Sequence, residues 1–216
     1  MQVFRSCSIA IAAAIVLIAG VPRSATALSL ADLDAGGSFS VGALTFSDFA
    51  ISVAGDLSVD LADYPVQLLG DGFRLSGPLT VLLGQQGTLL MSYVVEAAAG
   101  YAIDGAALFA PVVAAGSGSV ALVSDSLLGP GGAPLGTLLA IDVAGGSAPV
   151  LADATGFAAV ARLEVVKVVN LGSGVFAAVP HVDQRYFAIP EPITLVLLAG
   201  GLGGLALSGR RRAVLA

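Results

Sequence analysis

Glu96 and Glu164 are the only glutamates between residues 28 and 189. Glycoside hydrolysis needs two carboxylates converging on one bond, about 5 to 9 Å apart. Glu164 instead alternates with Leu163 and Val165 and lies two residues from Arg162, the pattern of a charge pair on one face of a strand. His181 is the single histidine. Without a body cysteine or a Gly-x-Ser-x-Gly elbow it completes no nucleophile–base couple, and one histidine among carboxylates gives none of the common zinc sets. It reads as a polar residue of the last strand. Calcium takes oxygen ligands alone, so Asp56, Asp60 and Asp63, or Asp32 and Asp34, are its candidate ligands; they match no EF-hand or nonapeptide loop and fit acidic turn positions. Tryptophan is absent, and Tyr64, Tyr93, Tyr101 and Tyr186 are scattered, so no aromatic cluster for sugar stacking is evident. The expectation is a protein that is not an enzyme, with no catalytic residue, no metal and no cofactor, calcium being the alternative.

The chemistry that the spacing does support is processing of the two ends. Pro190-Glu191-Pro192 locks the backbone, removes two N–H donors and blocks a helix from extending upstream. From 193 to 207 no residue is charged, and through Gly209 a helix would reach about 25 Å at 1.5 Å per residue, short of the roughly 30 Å of hydrocarbon it must cross. Arg210, Arg211 and Arg212 follow and are expected to hold the C-terminus on the cytoplasmic side, with the body outside. Gly200 and Gly204 form a small-xxx-small pair within the span. At the other end, Arg5 precedes an apolar run over 9–19, a breaker region at 20–22 and the small-x-small site Ala25-Thr26-Ala27. Residues 1–27 therefore read as a signal peptide cut before Leu28 by signal peptidase. Cys7, the only cysteine, leaves with it, so the mature body holds no disulfide.

The order Pro-Glu-Pro, short apolar helix, arginine cluster resembles the PEP-CTERM sorting domain of bacterial surface proteins, with Ile193 where serine is commoner. The resemblance implies recognition by an exosortase, cleavage near Pro190-Glu191-Pro192 and release from transient inner-membrane anchoring to the outer surface or an exopolysaccharide matrix. Residues 72–78, 91–95 and 183–187 resemble, more loosely, sequences found ahead of such signals. The expected organisation is signal peptide 1–27, body 28–189, sorting signal 190–212 and tail 213–216.

Nine basic residues stand against fifteen acidic ones, but Arg5, Arg23 and the three C-terminal arginines lie in the two ends while only Glu191 does. The body is left with four basic and fourteen acidic groups, a net charge of −10. Little positive charge remains to displace counterions from a polyanion, which disfavours nucleic acid and anionic lipid surfaces, and no nucleic-acid partner is expected.

The elements that must position these residues follow a period of two. Phe39, Val41 and Ala43 alternate with small or polar neighbours, as do Phe49, Ile51 and Val53, and Leu57, Val59 and Leu61. Further strands are expected at 66–69, 73–75, 79–83, 88–97, 119–124, 137–143, 158–169 and 182–187, separated by glycine-rich turns. Gly70-Asp71-Gly72 is the clearest hairpin. Alanine-rich stretches at 97–99 and 106–115 are open to helix, shortened by Pro111. The expected fold is all-β: an antiparallel β-sandwich of about eight to eleven strands, jelly-roll-like, flanked by an N-terminal signal helix and a C-terminal transmembrane helix. Two functions remain open: a non-enzymatic surface or matrix component, and a secreted carbohydrate-binding or carbohydrate-active protein, which predicts converging carboxylates and at least two exposed tyrosines.

Overall fold

A computed structural model describes residues 28–57 and 59–191. The expected signal helix and transmembrane helix, and with them Ala25, Ala27, Pro192, Arg210, Arg211 and Arg212, lie outside the described residues. Among those described, no helix is long and apolar enough to cross a membrane.

The chain is all-β and every strand pairing is antiparallel. A short helix α1 (Leu30–Asp34) precedes the strands β1 (Phe39–Val41), β2 (Leu44–Gly55), β3 (Val66–Leu69), β4 (Gly72–Leu82), β5 (Gln86–Ala97) and β6 (Tyr101–Phe109). Then come β7 (Val113–Ala115), β8 (Val120–Leu128), β9 (Pro134–Val143), β10 (Ala152–Val160), β11 (Arg162–Gly172) and β12 (Phe176–Pro190). One sheet runs β1-β2-β5-β11-β8-β9 and the other β10-β6-β12-β4-β3, with β7 also paired to β12.

The two sheets face each other across one apolar core. Alternation decides which side chains enter it. On β5, Leu89, Met91, Tyr93 and Val95 are buried, and on β11 Leu163, Val165, Val169 and Leu171 meet them as neighbours on the same sheet. Phe73 of β4 enters from the opposite sheet, edge-on to Phe46 at 5.5 Å and to Tyr93 at 5.6 Å between ring centroids. β2 keeps both halves of its apolar set inward by a bulge. Asp48 takes a positive φ of 55°, the register with β5 shifts between Ser47 and Ala50, and the buried positions change from Leu44 and Phe46 to Phe49.

The hairpin at Gly70-Asp71-Gly72 forms, with Leu69 opposite Gly72. The expected strands at 73–75 and 79–83 are one strand, β4, bent at Gly77, whose φ of 131° is open to glycine. Two other expectations are corrected and one open reading is decided. Leu57, Val59 and Leu61 do not make a strand: the Asp60 carboxylate accepts from Ala62 N at 3.0 Å and caps a 3-10 turn over Leu61–Asp63. The run at 158–169 is two strands in different sheets, parted at Ala161. The alanine-rich 106–115 stretch, left open to helix, is strand in β6 and β7 at its two ends, with Ala106 and Ala110 wholly buried. Among the described residues there are twelve strands where eight to eleven were expected; β1 and β7 are three-residue pieces. The helix α1 was not expected either, although Ser29 and Asp32 form a reciprocal capping box visible as Ser-x-x-Asp.

Candidate functional site

β12 occupies the middle of the second sheet, paired with β4 on one side and with β7 and β6 on the other. It ends at the sequence-predicted processing motif. Ala188, Ile189 and Pro190 lie opposite Ile103, Ala102 and Tyr101 of β6, and the Glu191 N–H donates to the Gly100 carbonyl at 2.8 Å. Proline is tolerated there because the hydrogen bond that ties this end of the strand down is donated by the next residue, Glu191. No free linker separates the folded body from Pro190 and Glu191. Leu28, the residue after the predicted signal cleavage, packs against the core, and its carbonyl accepts from Val66 N at 2.6 Å.

On β12, Val182, Gln184 and Tyr186 point into the core, so His181, Asp183, Arg185 and Phe187 point out. Arg74 of β4 lies directly opposite Asp183 and grips it with two hydrogen bonds, Nε to Oδ1 at 2.5 Å and a terminal nitrogen to Oδ2 at 2.7 Å. This charge-assisted fork is the strong form of the Arg–carboxylate contact, and it raises the Arg74 guanidinium above its ordinary value. Arg185 reaches Asp71 at 3.5 Å. His181 tilts against the Phe109 ring, 5.9 Å between centroids. Beside them a shallow cleft of about 300 Å³ runs between β12, β6 and β10, with Phe109, Asp153, Asp183 and Arg185 among its lining residues. Asp153 is already committed to backbone, accepting from Leu139 N and Ala154 N.

The carboxylates named for glycoside chemistry are elsewhere. Glu96 and Glu164 sit on the outer face of the first sheet, on β5 and β11. Arg162, directly across from Glu96, holds it at 2.5 Å, so the charge pair forms between strands and not along β11 with Glu164. Neither glutamate lines the cleft. Four of the five calcium candidates are dispersed as backbone acceptors, Asp32 in the helix cap, Asp34 to Ile51 N, Asp56 to Gln86 N and Asp60 to Ala62 N, and the fifth, Asp63, ends the 3-10 turn. Among the described residues no three His, Cys, Asp or Glu side chains gather as a metal site. The two exposed tyrosines that carbohydrate recognition predicts do not appear either. Tyr101 is 38% exposed, while Tyr64, Tyr93 and Tyr186 are buried. The exposed aromatics of the second sheet are Tyr101, Phe109 and Phe187, a single tyrosine among them.

One polar cluster escaped the sequence reading. Lys167 on β11 and Asp125 on β8 are register partners with wholly buried side chains, Nζ to Oδ1 at 2.5 Å. Gln184 reaches across from β12, its Oε1 accepting from Lys167 Nζ at 2.8 Å. Next to them the hydroxyls of Tyr93 and Tyr186 join the two sheets at 2.6 Å. Burial pushes both phenols well above their ordinary value, raises the Asp125 carboxyl and lowers the Lys167 amine, against the attraction of the pair. A signal was present. Lys167 is the only lysine in the chain, and it falls on the apolar parity of Leu163, Val165, Val169 and Leu171, as Asp125 does between Val123 and Leu127.

No curated protein matches the chain. Among solved structures, "TmCBM61 in complex with beta-1,4-galactotriose" aligns at 14% identity and TM-score 0.33, over 65% of this chain and 88% of that one. The enzymatically active domain of tailspike protein 4 from bacteriophage CBA120 aligns at 16% identity and TM-score 0.26, over 68% of this chain and 20% of that one. Likeness at this level assigns neither ligand nor activity. The C-terminal segment is different: the family model of the PEP-CTERM protein-sorting motif matches residues 188–212, beginning on the last three residues of β12, and the chain is therefore a protein that carries a PEP-CTERM sorting domain.

Proposed function

We propose that this is an exported, non-enzymatic component of the cell surface or exopolysaccharide matrix, held briefly in the inner membrane by its tail and cut by an exosortase near Pro190-Glu191-Pro192. The observation that carries the reading is the continuity of β12 with the sorting motif, which puts the processing segment at the edge of a folded body. Eight strands, β4-β12-β6-β10 in one sheet and β5-β11-β8-β9 in the other, wind in the order of a jelly roll, a rigid scaffold fit for display. Glu96 is held by Arg162 on the outer face of the first sheet, and Asp34, Asp56 and Asp60 accept from backbone N–H groups, which supports a body without catalysis.

Replacing Pro190, Glu191 and Pro192 together by alanine in the native host tests this. The body is expected to remain in the membrane fraction with residues 193–216 still attached by intact mass, while its thermal unfolding stays unchanged. An unaltered yield in the surface or matrix fraction would overturn the reading.

A second reading, polysaccharide binding, draws on the cleft, where an exposed phenylalanine and an exposed guanidinium stand side by side. An apolar ring face flanked by a few polar groups is the usual make-up of a small-molecule site. It predicts that the chain is retarded on at least one polysaccharide in affinity electrophoresis and that Phe109→Ala abolishes the retardation. Free migration on every polysaccharide leaves the scaffold reading alone.

A further inference from the structure

We propose that Lys167 and Asp125 condense into an intramolecular amide that staples β11 to β8. The two side chains are register partners on neighbouring strands, both fully buried, with Nζ 2.5 Å from a carboxylate oxygen. Reacting groups held at that separation have already met most of the entropic cost of a bimolecular step. Gln184, entering from the opposite sheet, fixes the amine from a second direction. Met91 is the other register partner of Lys167, Leu127, Val165 and Val169 are buried two residues along the same strands, and the Tyr93–Tyr186 bridge lies within electrostatic range of Asp125.

The ion pair by itself is poorly compensated. Asp125 Oδ2 and Gln184 Nε2 are both buried without a hydrogen-bond partner. Two charges taken out of water are repaid only when their remaining lone pairs and protons are also satisfied, and here Gln184 is the side chain that, besides Lys167, helps hold the Asp125 carboxylate. Burial moves both groups towards their neutral forms, the free amine and the carboxylic acid, which are the reactive ones. The amine lone pair of Lys167 adds to Cγ of the Asp125 carboxyl, and a tetrahedral centre forms. One carboxyl oxygen then departs with two protons as water, leaving –CO–NH– between the strands. No oxidant, reductant or further reactant is needed. Both formal charges disappear, along with one of the two carboxylate oxygens, and the surrounding apolar packing keeps water from reversing the step. In a body that contains no cysteine, the amide would supply the covalent cross-link that a disulfide cannot.

Because Lys167 is the only lysine, trypsin reads the bond directly. Digestion of the denatured full chain is expected to give one branched species, residues 75–162 joined to 163–185, lighter than its parts by one water, with no peptide 163–167. Asp125→Asn should give the same branched mass, since ammonia then leaves in place of water. Asp125→Ala should release peptide 163–167. Release of 163–167 and 168–185 from the wild-type chain in full yield would overturn the proposal, and that measurement needs no variant to fold.

Discussion

Phe73→Ala is expected to lower the free energy of unfolding by about 3–5 kcal/mol, the cost of removing a buried aromatic ring and leaving a cavity. Phe73 is fully buried and is the ring on which the two sheets meet. It stands edge-on to Phe39, Phe46, Phe49 and Tyr93 of the first sheet, with centroids 5.5 to 6.5 Å away. Edge-to-face pairs of this kind add roughly 0.5–1.5 kcal/mol beyond their buried area. A domain of this size has about 5–15 kcal/mol in total, so the loss is a large fraction of it. The urea midpoint should fall with the slope of the transition unchanged. Phe109→Ala, on the outer face of the second sheet, is the control and should cost about 0.5 kcal/mol or less. Equal midpoint shifts for the two variants would mean that the aromatic cluster does not hold the sheets together.

Much of this architecture was legible in the sequence because burial on one face of a strand leaves a period of two, and because glycine marks the turns. The hairpin at 70–72 and the strands at 66–69 and 88–97 were read from that pattern, and they appear close to where it put them. The misreadings have specific causes. Leu57, Val59 and Leu61 carry the right alternation, but Asp60 competes for the backbone with a cap. The break at Ala161 is invisible because alternation continues through it; only the change of sheet reveals it. At the candidate site the sorting motif was plain, since it is contiguous in sequence. The Lys167–Asp125–Gln184 cluster is harder to read because its members come from three strands of two sheets: apolar parity marks Lys167 and Asp125 as inward-facing, but not that they meet each other and Gln184. Arg74 and Asp183 were hidden for the same reason, being 109 residues apart and adjacent only through the β4–β12 register.

The β4–β12 register also sets the second large effect, the substitution Gly72→Ala. A Cβ built at Gly72 would lie 1.9 Å from the carbonyl oxygen of Gln184 and 2.9 Å from its carbon, atoms of a backbone paired on both sides. Neither strand can give way cheaply. Arg185 is the register partner of Gly72, and the Tyr186 N–H donates to the Asp71 carbonyl at 2.8 Å, so the turn is hydrogen-bonded to the strand it would strike. The expected loss is about 3 kcal/mol or more, at the upper end of the cost of forcing extra volume into a packed site. Gly70→Ala in the same turn meets nothing within 4 Å and should shift stability by about 0.5 kcal/mol at most. The damage should also reach beyond the turn, because the displaced segment contains Gln184, which holds Lys167, and leads directly to Pro190. Amide exchange should therefore quicken along β12 as far as Ile189 in the Gly72 variant and stay at the wild-type rate in the Gly70 variant. Matching exchange in the two would show that β4 and β12 are not in close backbone contact at Gly72, and that the end of the last strand is held by β6 alone.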